Sequence, residues 1–323
     1  MRHLPVRFAA LGMVFLCATG ALFAQAFPAK PVRIIVPYAA GGPLDEFTRV
    51  LAQRLNEAWG QPVLADSRPG ASGGIAAELV AKAAPDGYTL LLGNPGPITV
   101  FPNLQKRASY NPQTDLAPVT MMVSVPLVLV AHPSLPAKNA RDLVRLAKAR
   151  PGQVSFASAG VGNLAHIAME SLSVMAGVKM NHVPYKGSAP ALVDIMAGHV
   201  DTMLINIFGL LPHVQSGRVR AIGVSSAKRT PVYPDAASIA EFYPEFDVTS
   251  WVGIFAPAAT PRELIAKLRG DIARVLARAE LRDRIVGQGA DIVAGTPEEL
   301  GAHVRRESAT YAKAIQAAGI RVD

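Results

Sequence analysis

Residues 32–58, VRIIVPYAAGGPLDEFTRVLAQRLNEA, contain the pattern that decides the fold. The β-branched run Val32–Pro37 predicts a buried strand, and apolar residues then recur at helical spacing to the end of the stretch. A loop with two adjacent glycines, Gly41 and Gly42, joins the two segments, and Pro43 suits the first turn of a helix. A strand, a glycine-rich loop and a helix in this order are typical of α/β proteins, which bind ligands at the carboxyl ends of parallel strands.

The same alternation of strands and helices continues along the chain. Repeated units of this length favour parallel sheets covered by helices. Two further apolar runs, 119–123 and 127–131, follow an irregular stretch. The remaining predicted strands are 62–65, 88–92, 154–157, 182–184, 202–205, 220–224 and 249–255, and the predicted helices are 74–84, 140–149, one that begins near residue 164, 189–197, 261–279 and 297–317.

Length and composition limit the class of protein. A chain of 323 residues is long enough for two domains. Half of the residues are hydrophobic and 17% are charged, which excludes wholesale disorder, and a single cysteine excludes a disulfide scaffold. The net charge of +8 invites a nucleic-acid interpretation, but the basic residues are scattered and lack interleaved aromatic residues. We therefore expect no nucleic-acid partner.

The first 26 residues have the three parts of a secretory signal peptide. A basic start at Arg2 and Arg7 is followed by the uncharged segment 8–23 and then by Ala24-Gln25-Ala26, an A-x-A cleavage pattern. The apolar part is short for a membrane span of about 20 residues, although an anchor is the alternative. Cys17 follows a leucine, so it lacks the small residue expected before a lipoprotein cysteine. We predict cleavage after Ala26 and export to the periplasm.

Two glycine motifs suggest enzymes, and each lacks a required partner. Residues 70–74, GASGG, match the G-x-S-x-G nucleophile elbow, but a polar segment separates them from the preceding strand and no histidine partner is evident. Residues 160–165, GVGNLA, match the dinucleotide fingerprint G-x-G-x-x-A. The acidic residue that should follow about 20 positions later is absent around Met180.

The sequence also offers no metal or phosphate motif. The histidines His166, His182, His199 and His213 are not at metal-ligand spacing, and no G-K-[S/T] sequence exists. We therefore predict no catalytic residues, no metal and no cofactor.

Three loops suit the binding of a small anion. Residues 38–45, 93–97 and 158–166 each follow a predicted strand, and at least the first and third open a helix. Glycine lets a backbone approach a ligand closely, and free N–H groups at a helix start favour negative charge. Two such loops on separate domains could close on one carboxylate from both sides.

Several long segments of the chain closely resemble the Bug family, the periplasmic solute-binding receptors of tripartite tricarboxylate transporters. The resemblance runs from about residue 31 to 320 and rests on KPVRIIVPYAAGGPLDEFTR, FASAGVGNLAH, HVPYKGSAPALVDIMAGHVD and TSWVGIFAPAATPRELI, among others. It implies a type II periplasmic-binding-protein fold, an α/β architecture of two domains joined by two crossing strands around a ligand cleft. The crossings are expected near Val128 and Ser250. Domain 1 would then comprise residues 27–127 and 251–323, and domain 2 residues 128–250.

The resemblance, together with the loop positions, predicts the ligand-binding residues. They are Tyr38, Ala39, Gly41, Gly42, Asp45, Asn94, Ser158, Ala159, Gly162, Asn163, His166, Tyr185, Ile205 and Asn206. Many relatives have Phe at position 38, Ser at 163 and Asp at 205. The loss of that carboxylate at Ile205 predicts a ligand without an amino group.

The resemblance implies a receptor that captures a small carboxylate and delivers it to membrane transporter subunits. We expect it to be monomeric and to have no enzymatic activity. Two alternatives remain open at this point: a periplasmic α/β enzyme acting on a small carboxylate, and a ligand-sensing partner of a membrane signalling receptor.

Overall fold

A computed structural model describes residues 27–105 and 109–318. Both element types alternate along the chain, as predicted. The strands are β1 (Val32–Val36), β2 (Val63–Ser67), β3 (Thr89–Gly93), β4 (Leu116–Ala131), β5 (Ser155–Ser158), β6 (Asn181–Pro184), β7 (Thr202–Asn206), β8 (Arg220–Val224), β9 (Thr249–Pro257) and β10 (Asp291–Ile292). The helices are α1 (Pro43–Trp59), α2 (Gly74–Ala81), α3 (Phe101–Leu104), α4 (Ala140–Ala149), α5 (Leu164–Ala176), α6 (Ser188–Ala197), α7 (Leu211–Gln215), α8 (Arg262–Leu276), α9 (Ala279–Gly287) and α10 (Pro297–Ala318).

The strands form one continuous path in the order β2-β1-β3-β9-β4-β7-β5-β6, and β8 and β10 also pair with β4. The outer pairs are parallel, as expected from strand–helix units. The expectation of parallel sheets does not extend to the centre, where β9 pairs antiparallel with β3 and β4, and β4 pairs antiparallel with β7 and β8. The physical reason is that β4 and β9 run in opposite directions through the middle of the molecule.

Strand β4 connects the two halves. Its first part, residues 116–126, pairs with β9, whereas residues 127–131 pair with β7 and β8. We call the half built from β1–β3, β9, β10, α1–α3 and α8–α10 lobe 1, and the half built from β5–β8 and α4–α7 lobe 2. The apolar runs 119–123 and 127–131 therefore belong to one strand, β4.

The domain boundaries at residues 127/128 and 250/251 stay a prediction. The change of β4 partners between Pro126 and Leu127 supports the first of them. For the second, the N–H of Val248 still donates to Ser225 in lobe 2, whereas Thr249 pairs with β4 at Pro126.

Local signals place most helices accurately. The Asn139 side chain accepts a hydrogen bond from the Asp142 N–H at 2.9 Å and so caps α4, whose bounds are those predicted. The predicted helix 261–279 is too long, because α8 ends at Leu276 and a separate helix, α9, begins at Ala279. The sequence contains no proline or glycine that would have announced this break.

Candidate functional site

A cleft between the two lobes contains the largest group of predicted site residues. Its cavity has a volume of about 30 Å³, and the space between its walls is about 490 Å³ when open solvent at the mouth is included. Loops that follow β1, β3 and β5 form its walls, and the ends of β7 and β9 reach it as well. Its lining residues are Tyr38, Ala39, Gly42, Pro43, Leu44, Asp45, Asn94, Leu127, Ala159, Asn163, Leu164, Ala165, Ser188, Leu204, Ile205, Asn206 and Ser250.

The carboxylate of Asp45 holds the first loop in shape. It accepts hydrogen bonds from the Gly41 N–H at 3.0 Å, from Arg49 Nε at 2.8 Å and from Ser67 Oγ at 3.0 Å. Burial alone would raise the pKa of Asp45, but these hydrogen bonds outweigh it and hold the pKa below its usual value. Asp45 thus lines the cleft as an ionised group whose charge Arg49 balances.

Hydrogen bonds between Tyr38, Asn94 and Asn163 span the cleft. The Tyr38 hydroxyl lies 3.3 Å from Asn94 Oδ1, and Asn163 Nδ2 donates to that hydroxyl at 3.2 Å. Asn163 also caps α5, because its Oδ1 accepts from the Ala165 N–H at 2.9 Å. Burial raises the pKa of Tyr38, although the two asparagines partly oppose this, so the hydroxyl is protonated at neutral pH. One residue of lobe 1 is therefore tied to the start of α5 in lobe 2.

Ser158 and His166 support the second loop from behind and do not line the cavity. Ser158 Oγ lies 2.7 Å from His182 Nε2 and accepts from the Gly160 N–H at 3.2 Å. His166 Nδ1 accepts from the Gly162 N–H at 3.1 Å, and its ring stacks on His182 with centroids 3.9 Å apart. Burial, with His182 nearby, lowers the pKa of His166 to about 3, and burial lowers that of His182 to about 4. Both rings are neutral at neutral pH, so His166 positions backbone and does not supply a cation.

Three other predicted site residues also lie outside the lining. Gly41 serves the first loop through its hydrogen bond to Asp45. Gly162 has a φ of +76°, and a Cβ there would lie less than 3.0 Å from Leu104 Cδ1 in lobe 1, so it faces the opposite lobe at close range. The Tyr185 hydroxyl donates to Asp194 Oδ2 at 2.6 Å. These three residues do not line the cavity, and their assignment as ligand-binding residues stays a prediction.

Three helix N-termini meet at the cavity. Gly42 precedes α1 and Gly187 precedes α6, and neither helix start has a side-chain cap. The start of α5 contributes Leu164 and Ala165 to the lining, and the start of α6 contributes Ser188. The first N–H groups of a helix have no partner within it and point outward with the positive end of the dipole. Among the described residues that line the cavity, none is Lys, Arg or His, so an anion would be held by these helix ends.

Sequence reasoning missed part of the lining. Ser188 and Ser250 are polar residues of this group, and Leu127 and Leu204 are apolar ones. Ser250 had one available signal, because the second crossing strand was expected beside it and crossing strands border a cleft. Nothing in the local sequence indicated Ser188, which is brought to the cavity only by the packing of α6.

The remaining motifs have structural roles. Ser72 of the G-x-S-x-G match is buried, has a φ of +49° and donates through Oγ to the Val161 carbonyl of lobe 2. This hydroxyl joins the lobes and, within residues 27–105 and 109–318, has no histidine partner. Those same residues include no group of three or more His, Cys, Asp or Glu that could hold a metal ion. No helix among them is both long and apolar enough to cross a bilayer.

Residues 47–320 match the protein-family model described as the tripartite tricarboxylate transporter family receptor, TctC. The chain belongs to this family. It is 36% identical over 301 residues to Protein BugT of Bordetella pertussis, covering 93% of this chain and 92% of that protein. This confirms the resemblance to the Bug family.

Solved structures agree with this assignment. The fold is similar to that of the periplasmic binding protein BugD, with a TM-score of 0.87 and 34% identity, covering 91% of this chain and 99% of that one. It is also similar to that of Rpa4515 of R. palustris with adipate, with a TM-score of 0.88 and 34% identity, covering 91% of this chain and 99% of that one. The structure of MatC from Rhodopseudomonas palustris with bound malate has a TM-score of 0.85 and 31% identity, covering 90% of this chain and 100% of that one. The two-domain solute-binding fold is thereby confirmed, and the chain is a receptor of the family's solute-binding class.

Proposed function

We propose that this chain is an exported receptor that binds a small carboxylate lacking an amino group and delivers it to a membrane transporter. The observation that supports this most strongly is the convergence of three helix N-termini on a cleft whose described lining has no basic side chain. Backbone N–H groups at helix starts favour anions without a formal cation. The relatives with adipate and malate support a carboxylate as that anion.

The end of β7 supports the absence of an amino group from the ligand. Ile205 lines the cleft, is only 1% exposed and lies opposite Val128 of β4. A ligand ammonium placed there would lose water without gaining a counter-charge, which costs free energy. The one carboxylate of the lining, Asp45, is already engaged by Arg49. An aliphatic chain, in contrast, gains favourable contact with Ile205.

Isothermal calorimetry on matched pairs tests the proposal. Succinate should bind about tenfold to a hundredfold more tightly than aspartate, and glutarate more tightly than glutamate, which corresponds to about 1–3 kcal/mol. Tighter binding of aspartate and glutamate would contradict the role assigned to Ile205. If none of the four binds, a carboxylate receptor of this kind is contradicted.

We further propose that the cleft does not catalyse a reaction and that the receptor acts as a monomer. The hydroxyl of Ser72, the strongest nucleophile candidate in the sequence, is engaged by the Val161 carbonyl. Recovery of the bound carboxylate unchanged after prolonged incubation is the expected result, and sustained turnover would refute it. Light scattering at micromolar concentration should give the mass of one chain.

We also propose that export removes residues 1–26. Phe27 packs against Tyr88 and Trp59, with ring centroids 5.0 and 6.0 Å apart, which supports its retention in the mature protein. N-terminal sequencing of periplasmic protein should begin at Phe27. An intact Met1, or lipid attached to Cys17, would contradict cleavage at this place.

A further inference from the structure

The outer face of helix α4 in lobe 2 is basic. Arg141, Arg145 and Lys148 are spaced four and three residues apart, so they lie on one face of the helix. Lys138 comes just before the first turn, and Arg150 follows the last one. All five residues are exposed, and we call them the basic face of α4.

The opposite face of α4 is built into the protein. Leu143 and Ala147 are fully buried and pack in one core cluster with Met169 and Leu172 of α5. This apolar side is therefore not available to a partner. Any contact that α4 makes outside the chain has to use its charged side chains.

The basic face is only weakly neutralised from within the helix. Asp142 is the single acidic residue of α4, and it pairs with Arg145 at 2.9 Å while accepting from the Lys138 N–H at 3.1 Å. Among residues 27–105 and 109–318, the side chains of Lys138, Lys148 and Arg150 form no ion pair. Three cations of this face are thus available to an external anion.

A neighbouring segment brings acidic residues to one end of the helix. The Arg141 guanidinium lies 4.5 Å from the centre of the Phe242 ring. Next to Phe242 in the sequence, Glu241 is already engaged by an arginine of the same lobe, whereas Glu245 and Asp247 are exposed. Attraction of an anion should therefore be stronger toward the other end of α4.

That other end adjoins a further cation and an exposed apolar pair. The Gly152 N–H donates to the Lys179 carbonyl at 2.9 Å, so the loop after α5 lies beside the loop that follows α4. Lys179 is exposed, and so are Val174 and Met175 in the last turn of α5, by 68% and 43%. Cations beside exposed apolar side chains suit the headgroup region of a membrane, which offers negative charge above an apolar layer.

The shape of this surface favours an extended anionic layer over a single acidic peptide. A helix of ten residues is about 15 Å long and its exposed face is convex, so a flat layer of headgroups can meet several cations at once, whereas a peptide would need a groove. We propose that the basic face of α4, together with Lys179, docks on anionic lipid headgroups and holds the receptor near the membrane. This goes beyond the proposed function and does not depend on which carboxylate the cleft binds.

Sedimentation with lipid vesicles tests the docking face. Protein purified from the periplasm is mixed with vesicles of phosphatidylcholine alone, or of phosphatidylcholine with an equal amount of phosphatidylglycerol. Binding is expected only to the second kind, and it should weaken as salt is added, because salt screens exposed charges. Each Lys or Arg near an anionic surface strengthens binding about fivefold, so Arg145→Gln combined with Lys148→Gln should weaken it about tenfold to thirtyfold.

Arg262→Gln combined with Arg282→Gln is the matched control. Both arginines are exposed on lobe 1, and the change removes the same net charge. Each variant also loses one exposed ion pair with a nearby aspartate, Arg145 with Asp142 and Arg282 with Asp283. The control should bind anionic vesicles within about twofold of wild type, and both variants should keep its melting temperature. A control that loses as much affinity as the α4 variant would show that only net charge acts and would overturn the docking face.

Two further results would overturn the lipid as the partner. Equal binding to both kinds of vesicle, or binding to neither, contradicts recognition of anionic headgroups. Binding of polyglutamate that depends on Arg145 and Lys148, without binding to vesicles, would assign the face to an acidic protein segment instead. Neither result affects the carboxylate receptor, since none of the described residues that line the cavity belongs to α4.

Discussion

A methyl group added at Gly162 should hinder closure of the lobes without touching the ligand. Gly162 lies in the second loop of lobe 2 and does not line the cavity, and a Cβ there would lie less than 3.0 Å from Leu104 Cδ1 of lobe 1. Carbon atoms in contact normally lie about 3.5–4.0 Å apart. Leu104 has little freedom to move, because it is buried with Val100, Ile315 and Ile167, the last of which belongs to lobe 2.

Two separate costs are expected for Gly162→Ala. The φ of +76° is unfavourable for alanine by about 1–2 kcal/mol, which lowers the free energy of unfolding whether or not ligand is present. The clash exists only when the lobes are closed, and overpacking of this kind costs about 1–3 kcal/mol. The affinity for a carboxylate should therefore fall about fivefold to a hundredfold.

A double-mutant cycle with Leu104→Ala separates these costs. Leu104→Ala creates room for the new methyl group but leaves the φ cost in place. Calorimetry should show that Gly162→Ala weakens binding much less in the Leu104→Ala background, with a coupling energy of about 1 kcal/mol or more. Urea unfolding without ligand should show the same loss of stability in both backgrounds. An equal loss of affinity in both backgrounds, or no loss in either, would refute the reasoning.

Two further predictions concern the first loop and the buried histidines. At Gly42 a Cβ would lie 3.5 Å from the Ala189 nitrogen, which is an ordinary contact distance. Gly42→Ala should therefore bind a carboxylate within a few-fold of wild type, whereas the larger side chain of Gly42→Val should weaken binding at least tenfold. Equal affinities of the two variants in calorimetry would contradict the close approach of α1 and α6. In the unfolded chain histidine has a pKa near 6.5, whereas in the folded chain the pKa of His166 is about 3 and that of His182 is about 4. The unfolded state therefore binds more protons between these pH values, and the free energy of unfolding should fall as the pH drops from 6.5 to 4. The limiting slope for two protons is about 2.7 kcal/mol per pH unit, and His182→Phe should remove about half of it in urea titrations, whereas the exposed His199→Asn should not. An unchanged slope in His182→Phe would show that this ring is not buried in the neutral form.

Short-range patterns were sufficient for most elements and for the position of the loops. The helix cap at Asn139 and the glycine loop before α1 act within a few residues of the chain, so their consequences can be predicted from the sequence. Pro126 lacks an N–H and lies between the two apolar runs 119–123 and 127–131. It nevertheless lies inside β4, because pairing with Thr249 of β9 continues the strand across it. That partner is more than a hundred residues away.

The binding site likewise has features that the sequence predicts and features that only the tertiary structure specifies. Glycine positions and helix starts predicted the walls of the cleft, including Gly42, Asn163 and the anion-binding character that three N-termini create. The tertiary structure alone assigned His166 to the support of a loop and brought Ser188 to the cavity. A backbone conformation depends mainly on neighbouring residues, whereas the partner of a side chain depends on where distant strands cross, and only the folded chain specifies that.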